Sequence, residues 1–207
     1  MKTSFKTLVA SAMTAIVLST TLVTAFAAEK VTAAEKVSKN QDIKKVVVNG
    51  TTKVFIVQSN RDWISIGDDN LDKVSVKQVG NTLSISSSEE TPVVVTVYVK
   101  DLYRIAVADH ADVSTVGTIN LPYLQVVMRD HAKAHIKAKT ESLYTDLAGE
   151  ANLELSGATE SHTIKNASAG DLKVERLLAA KTENLPAGSR LAMNDTTVQA
   201  KRVNAKK

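Results

Sequence analysis

The feature that most constrains this chain is a spacing. Asp109-His110-Ala111 recurs 21 residues later as Asp130-His131-Ala132, and steps of 19 from Asp130 then reach Gly149, Ser168 and Ala187. Around these points the chain reads ADHADV, RDHAKA, AGEANL, ASAGDL and PAGSRL, each a cluster of small or turn-forming residues. Each cluster runs into a small or apolar residue, namely Val113, Ala134, Leu153, Leu172 and Leu191, and the last four are again 19 apart. A period near twenty that joins strand-forming runs to small corners predicts a solenoid, in which each repeat is one coil and equivalent strands stack in parallel. The narrow interior of such a stack suits Val, Ile, Leu and Ala and leaves little room for rings; aromatic residues make up only 4% of the chain.

The stretch from Val46 to Val99 is also strand-forming. VVVNG, TTKVFIVQS, RDWISIGDD, KVSVKQVG, NTLSISS and PVVVTVYV are rich in Val, Ile and Thr. Val74 and Val76 alternate with Ser75 and Lys77, and Leu83 and Ile85 with Ser84 and Ser86, a period of two that predicts half-buried strands. Gly80-Asn81 predicts a hairpin turn and Asn49-Gly50 a second turn. The expected fold class is all-β. It is a parallel β-helix-like solenoid with coils of about 19–21 residues, preceded by a strand-rich region of the same domain that covers one end of the stack.

The beginning of the chain predicts export. Lys2 and Lys6 form a basic start, Leu8 to Val23 is uncharged and mostly apolar, and Ala25-Phe26-Ala27 is a small-x-small cleavage signal. Cleavage after Ala27 leaves 180 of the 207 residues and takes the net charge from +4 to +2, by loss of Lys2 and Lys6. The remaining charge is mixed, which argues against nucleic acid as a partner. With no cysteine, disulfides and thiol chemistry are excluded, so stability rests on core burial and hydrogen-bond ladders.

The stretches Val95–Val107 and Asn81–Ile85 and the small corners at Gly149, Ser156-Gly157-Ala158 and Ser168-Ala169-Gly170 together resemble those of a known family of exported bacterial proteins, the auto-transporter adhesins with a head GIN domain. Val95-Thr96-Val97-Tyr98-Val99-Lys100-Asp101-Leu102-Tyr103-Arg104-Ile105-Ala106-Val107 resembles the family's V-x-V-Y-V-x-x-L-x-x-I-x-V stretch. Asn81-Thr82-Leu83-Ser84-Ile85 is similar to its preceding N-G-T-L-x-I element, with Gly80 and Asn81 in swapped order. Gly149, Ser156-Gly157-Ala158 and Ser168-Ala169-Gly170 resemble its small corners, whereas Asp-His-Ala stands where Ser-Gly-Ala is usual. The resemblance implies a β-helix-like fold, a location in the periplasm, on the outer surface or outside the cell, and no catalytic residue to carry over. The resulting division is a signal peptide over 1–27, a polar lead-in over 28–42, a GIN-type β-solenoid domain over 43–200 and a basic tail over 201–207.

Candidate sites follow from the same frame. His131 and His135 have helical ligand spacing, but on a strand they stand about 13 Å apart, too far to share an ion. Stacking between coils instead brings Asp109 and His110 beside Asp130 and His131, the only candidate metal position. The competing reading is that Asp and His at these corners serve the left-handed backbone conformation. Asp68-Asp69-Asn70 lacks the remainder of a calcium loop and reads as a turn. Asp109, Asp130 and Arg129 are the only residues that would suit a polysaccharide-cleaving enzyme of β-helix type. No nucleophile elbow, phosphate loop or cofactor motif is present, and no cofactor is expected.

These readings converge on a non-enzymatic, adhesin-like or structural domain of the bacterial envelope. It would bind polysaccharide or protein of cell surfaces through a repetitive face, with self-association through exposed ends. A periplasmic polysaccharide- or ligand-binding module is the alternative. No membrane span is expected once the signal segment is cleaved.

Overall fold

The computed structural model describes residues 42–186 and residue 188. The expected signal segment, nearly all of the lead-in, the basic tail and the last corner at Ala187 and Leu191 lie outside the described residues. The described chain is all-β. Its strands are β1 (Lys45–Gly50), β2 (Thr52–Gln58), β3 (Trp63–Ile66), β4 (Ser75–Val79), β5 (Thr82–Ser87), β6 (Val93–Val99), β7 (Arg104–Val107), β8 (Asp112–Val116), β9 (Ile119–Met128), β10 (Lys133–Gly149), β11 (Asn152–Ser168) and β12 (Leu172–Leu185). Each of the six Val/Ile/Thr runs before residue 100 forms one strand. Asp68–Asn70 makes a 3-10 turn, and among the described residues no helix is long and apolar enough to cross a membrane.

The strands form one hydrogen-bonded sheet that curls on itself in the order β3-β6-β2-β8-β10-β9-β7-β1-β5-β4. The curl occurs at β10. Its first residues, Lys133–His135, pair with β8, and Ala138–Leu147 pair with β9. One limb therefore runs β3-β6-β2-β8 and the other β9-β7-β1-β5-β4, while β11 stacks on β10 and β12 on β11. Nearly all pairings are parallel. Inward positions such as Val54, Ile56, Val95, Val97 and Val113 of one limb join Val46, Val48, Leu83, Ile85 and Ile105 of the other in a single core. Alternation of side chains across a pleated strand puts every second residue inside.

The register carries the repeat. β10 and β11 pair at a constant offset of 19, from Lys133↔Asn152 to Gly149↔Ser168. The first step is 21 because β8 and β10 pair as Asp112↔Lys133 whereas β9 and β10 pair as Ile119↔Ala138. The two additional residues are accommodated around Val116-Gly117-Thr118, where Gly117 has φ +78° and all three are exposed. The last described step departs from 19. Glu154 pairs with Lys173, but Ser156 pairs with Arg176, so a β-bulge inserts one residue into β12.

The N-terminal strands do more than cover an end. β1 and β2 enter the parallel stack between β5–β6 on one side and β7–β8 on the other. Only β3 and β4 run antiparallel, to β6 and β5, and finish the two limbs. Gly80-Asn81 forms the β4–β5 hairpin turn with Gly80 at φ +56°.

Candidate functional site

The two Asp-His corners stand in neighbouring layers, as the spacing predicts. Asp109 and Asp130 both hold left-handed backbone, φ 59° and 56°, and are the only non-glycine residues to do so among those described. Their carboxylates are engaged by backbone: Asp109 Oδ2 accepts from Gly50 N–H at 2.8 Å, and Asp130 Oδ2 from Asp109 N–H at 3.4 Å. Each Asp thus caps the corner of the adjacent layer. Gly149 takes the next corner at φ +74°, and a Cβ there would lie 2.7 Å from Asp130 N.

His110 and His131 stack at 5.0 Å between ring centroids, 2° from parallel, and His131 Nε2 lies 3.3 Å from Glu150 Oε2 in the layer beyond. An imidazole coordinates through a lone pair in its ring plane. Parallel stacked rings direct those lone pairs side by side, not toward one ion. Among the described residues no group of three or more His, Asp or Glu is arranged to hold a metal. His135 projects from β10 and meets Glu154 at 3.7 Å.

Arg129 does not join Asp109 and Asp130. Its guanidinium pairs with Asp146 at 3.1 Å and donates to the carbonyls of Met128 and Asp146, and Lys165 approaches the same carboxylate at 3.6 Å. Burial raises the pKa of the Tyr144 phenol beside it, and the charge of Asp146 adds to the effect. The acid–base trio considered from sequence is therefore not assembled.

One polar core feature escaped sequence reading. His162 is 1% exposed, and its Nε2 lies 3.1 Å from Oγ1 of the fully buried Thr145. Burial lowers its pKa from 6.5 to about 4. The signal was available: His162 lies 19 residues after Leu143, which lies 19 after Leu124, an inward column in which His replaces Leu.

Two surfaces are candidates for binding. The first is the outer side of β10 and β11, where Ala134, Ile136, Ala138 and Thr140 face the core and Lys133, His135, Lys137 and Lys139 face outward. The second is a half-open cleft of about 1110 Å³ at the β3/β4 end. Buried Ile64 and Ile66 and half-buried Val74 and Val76 line it, with exposed Asp72, Lys73, Glu89 and Asp109.

The described chain is an all-β fold stacked largely in parallel, with outward polar rows. Residues 42–201 match the family described as "Putative auto-transporter adhesin, head GIN domain", and the chain belongs to that family. Its fold is similar to a "Putative lipid binding protein" of Parabacteroides distasonis ATCC 8503, with TM-score 0.53 and 13% identity, covering 72% of this chain and 76% of that one. It is also similar to a "putative adhesin" of the same organism, with TM-score 0.51, 13% identity and coverage of 70% and 74%. A "putative adhesin" of Parabacteroides merdae ATCC 43184 follows, with TM-score 0.50, 12% identity and the same coverage. At these identities the likeness is one of fold. No curated protein matches the chain in sequence.

Proposed function

We propose that the chain is an exported, non-enzymatic surface-recognition domain, built as a parallel β-solenoid with coils of about 19–21 residues, whose outer faces bind cell-surface polysaccharide or protein. The observation that carries this reading is the unbroken 19-residue register of β10 and β11. It lines up outward side chains in straight columns at the strand spacing of about 4.8 Å, so that several weak contacts act together along a face. The family's description as adhesins supports the same reading, and the leader-like start of the chain supports export to the periplasm, the cell surface or the medium. The test is binding of the full-length chain to a glycan array and to intact cells. Saturable binding is expected; absence of binding to every glycan and cell type would refute the reading.

The end cleft favours a second reading, a ligand-binding module. Its apolar lining, with exposed Asp72, Glu89 and Asp109 outnumbering Lys73, suits an amphiphile with a cationic head, and the fold neighbour described as lipid binding points the same way. Dodecylamine should bind more weakly to an Asp72→Asn/Glu89→Gln variant than to the parent, whereas equal binding by both would remove the cleft from consideration.

A further inference from the structure

The strand that follows the Asp130-His131 corner carries a charge pattern that neither fold nor corner requires. Its outward residues Lys133, Lys137 and Lys139 are all exposed, and at about 3.3 Å per residue they span about 20 Å. Lysines on a sheet commonly protect an edge. β10 is not an edge, because it is hydrogen-bonded to β8 and β9 on one side and to β11 on the other. Among the described residues none of the three is in an ion pair: Asp112 pairs with Lys53 and Glu154 with His135 and Arg176, while exposed Glu141 follows Lys139 on the same face without meeting it. A row of cations without ion-pair partners, two and four residues apart on an interior strand, complements a linear polyanion.

The same side of the sheet carries one aromatic pair, on β3 and β6, with Trp63 four strands across from the lysine row. Trp63 stacks on Tyr98 at 3.7 Å and 7°, Tyr98 is the register partner of Val57, and Val57 that of Val116. Lys137 N–H donates to Thr115 Oγ1 at 2.8 Å, which places the lysine row beside the last of these register partners. Trp63 lies on the end strand β3, so the side of its ring away from Tyr98 has no further strand against it. We propose that this face binds a linear acidic polysaccharide, with its anionic groups on Lys133, Lys137 and Lys139 and a sugar ring against Trp63. The inference rests on the surface-recognition reading and names its partner. An acidic polysaccharide fits better than a nucleic acid, whose bases require several open aromatic faces among the cations; here Trp63 and Tyr98 cover one another.

The test measures binding of the full-length chain to polygalacturonate, to its fully methyl-esterified form and to phosphatidylglycerol vesicles, at low and high salt. Polygalacturonate should bind in a salt-sensitive manner and the ester should not. The Lys133→Gln/Lys137→Gln/Lys139→Gln variant should lose about tenfold or more in affinity while keeping its circular dichroism, since the three residues are exposed. Trp63→Ala should weaken binding without changing its salt dependence. Equal binding of ester and acid, unchanged binding by the triple variant, or binding to vesicles alone overturns the inference. If the triple variant binds polygalacturonate as the parent does while both bind cells or neutral glycans, surface recognition stands and this site falls. If the parent binds no surface at all, both fall.

Discussion

Replacing His162 separates two effects that the core couples. The imidazole is 1% exposed in a column otherwise lined by Leu124 and Leu143, and burial lowers its pKa from 6.5 to about 4. Between those values the unfolded chain holds a proton that the folded chain excludes, so stability falls as pH drops through that window and levels off below it. A shift of this size corresponds to about 3 kcal/mol lost between neutral pH and pH 4. His162→Leu removes that dependence but leaves the Thr145 hydroxyl buried without its 3.1 Å partner, at a cost of about 1–3 kcal/mol at neutral pH. The Thr145→Val/His162→Leu pair should relieve both, because the register neighbours of Thr145 are Val126 and Ile164. Urea unfolding of parent, single and double variants from pH 8 to pH 4 gives the comparison. The parent should lose about 3 kcal/mol more than the double variant over that range. Parallel pH profiles would refute the buried, neutral His162.

Gly149→Ala places a Cβ 2.7 Å from Asp130 N on left-handed backbone and should cost more than about 2 kcal/mol. Gly117→Ala, equally left-handed but with nothing within 4 Å, should cost about 1 kcal/mol, and thermal melts of the two separate packing from backbone strain. Because the His110 and His131 rings are parallel, added Zn²⁺ should raise the melting temperature of the parent no more than that of a His110→Ala/His131→Ala variant. A zinc-dependent rise confined to the parent would show that the rings rearrange around an ion.

The corners were legible because their chemistry is restrictive. Few residues tolerate left-handed backbone, so Asp109, Asp130 and Gly149 mark equivalent positions in successive layers even though their side chains differ. The inter-layer meeting of His110 with His131 followed from the 21-residue spacing alone. The placing of β1 and β2 between β5–β6 and β7–β8 was not legible, since alternation shows which face of a strand is buried and not which strand lies beside it. The end cleft depends on that order and was hidden with it. His162 was missed for a different reason. Its residue type reads as surface or ligand, and only the count from Leu143 reveals an inward position. Arg129 and Asp130 were adjacent in sequence but serve different partners, one an ion pair with Asp146 and the other a backbone cap.

Both the core columns and the outward columns of the proposed recognition face depend on neighbouring layers pairing at an offset of 19. The chain contains no cysteine, so introduced pairs report that register without interference. Ser142 and Ser161 are register partners on the half-buried outer side, with Cα atoms at about the 4.8 Å strand spacing, within disulfide reach. Ser142 and Thr163 lie diagonally at about 8 Å, beyond it. Mild oxidation of the folded Ser142→Cys/Ser161→Cys variant should close an intramolecular disulfide, while Ser142→Cys/Thr163→Cys stays reduced. Equal cross-linking of both pairs, or closure of the first only after denaturation, would contradict the stacked register on which the proposed binding face depends.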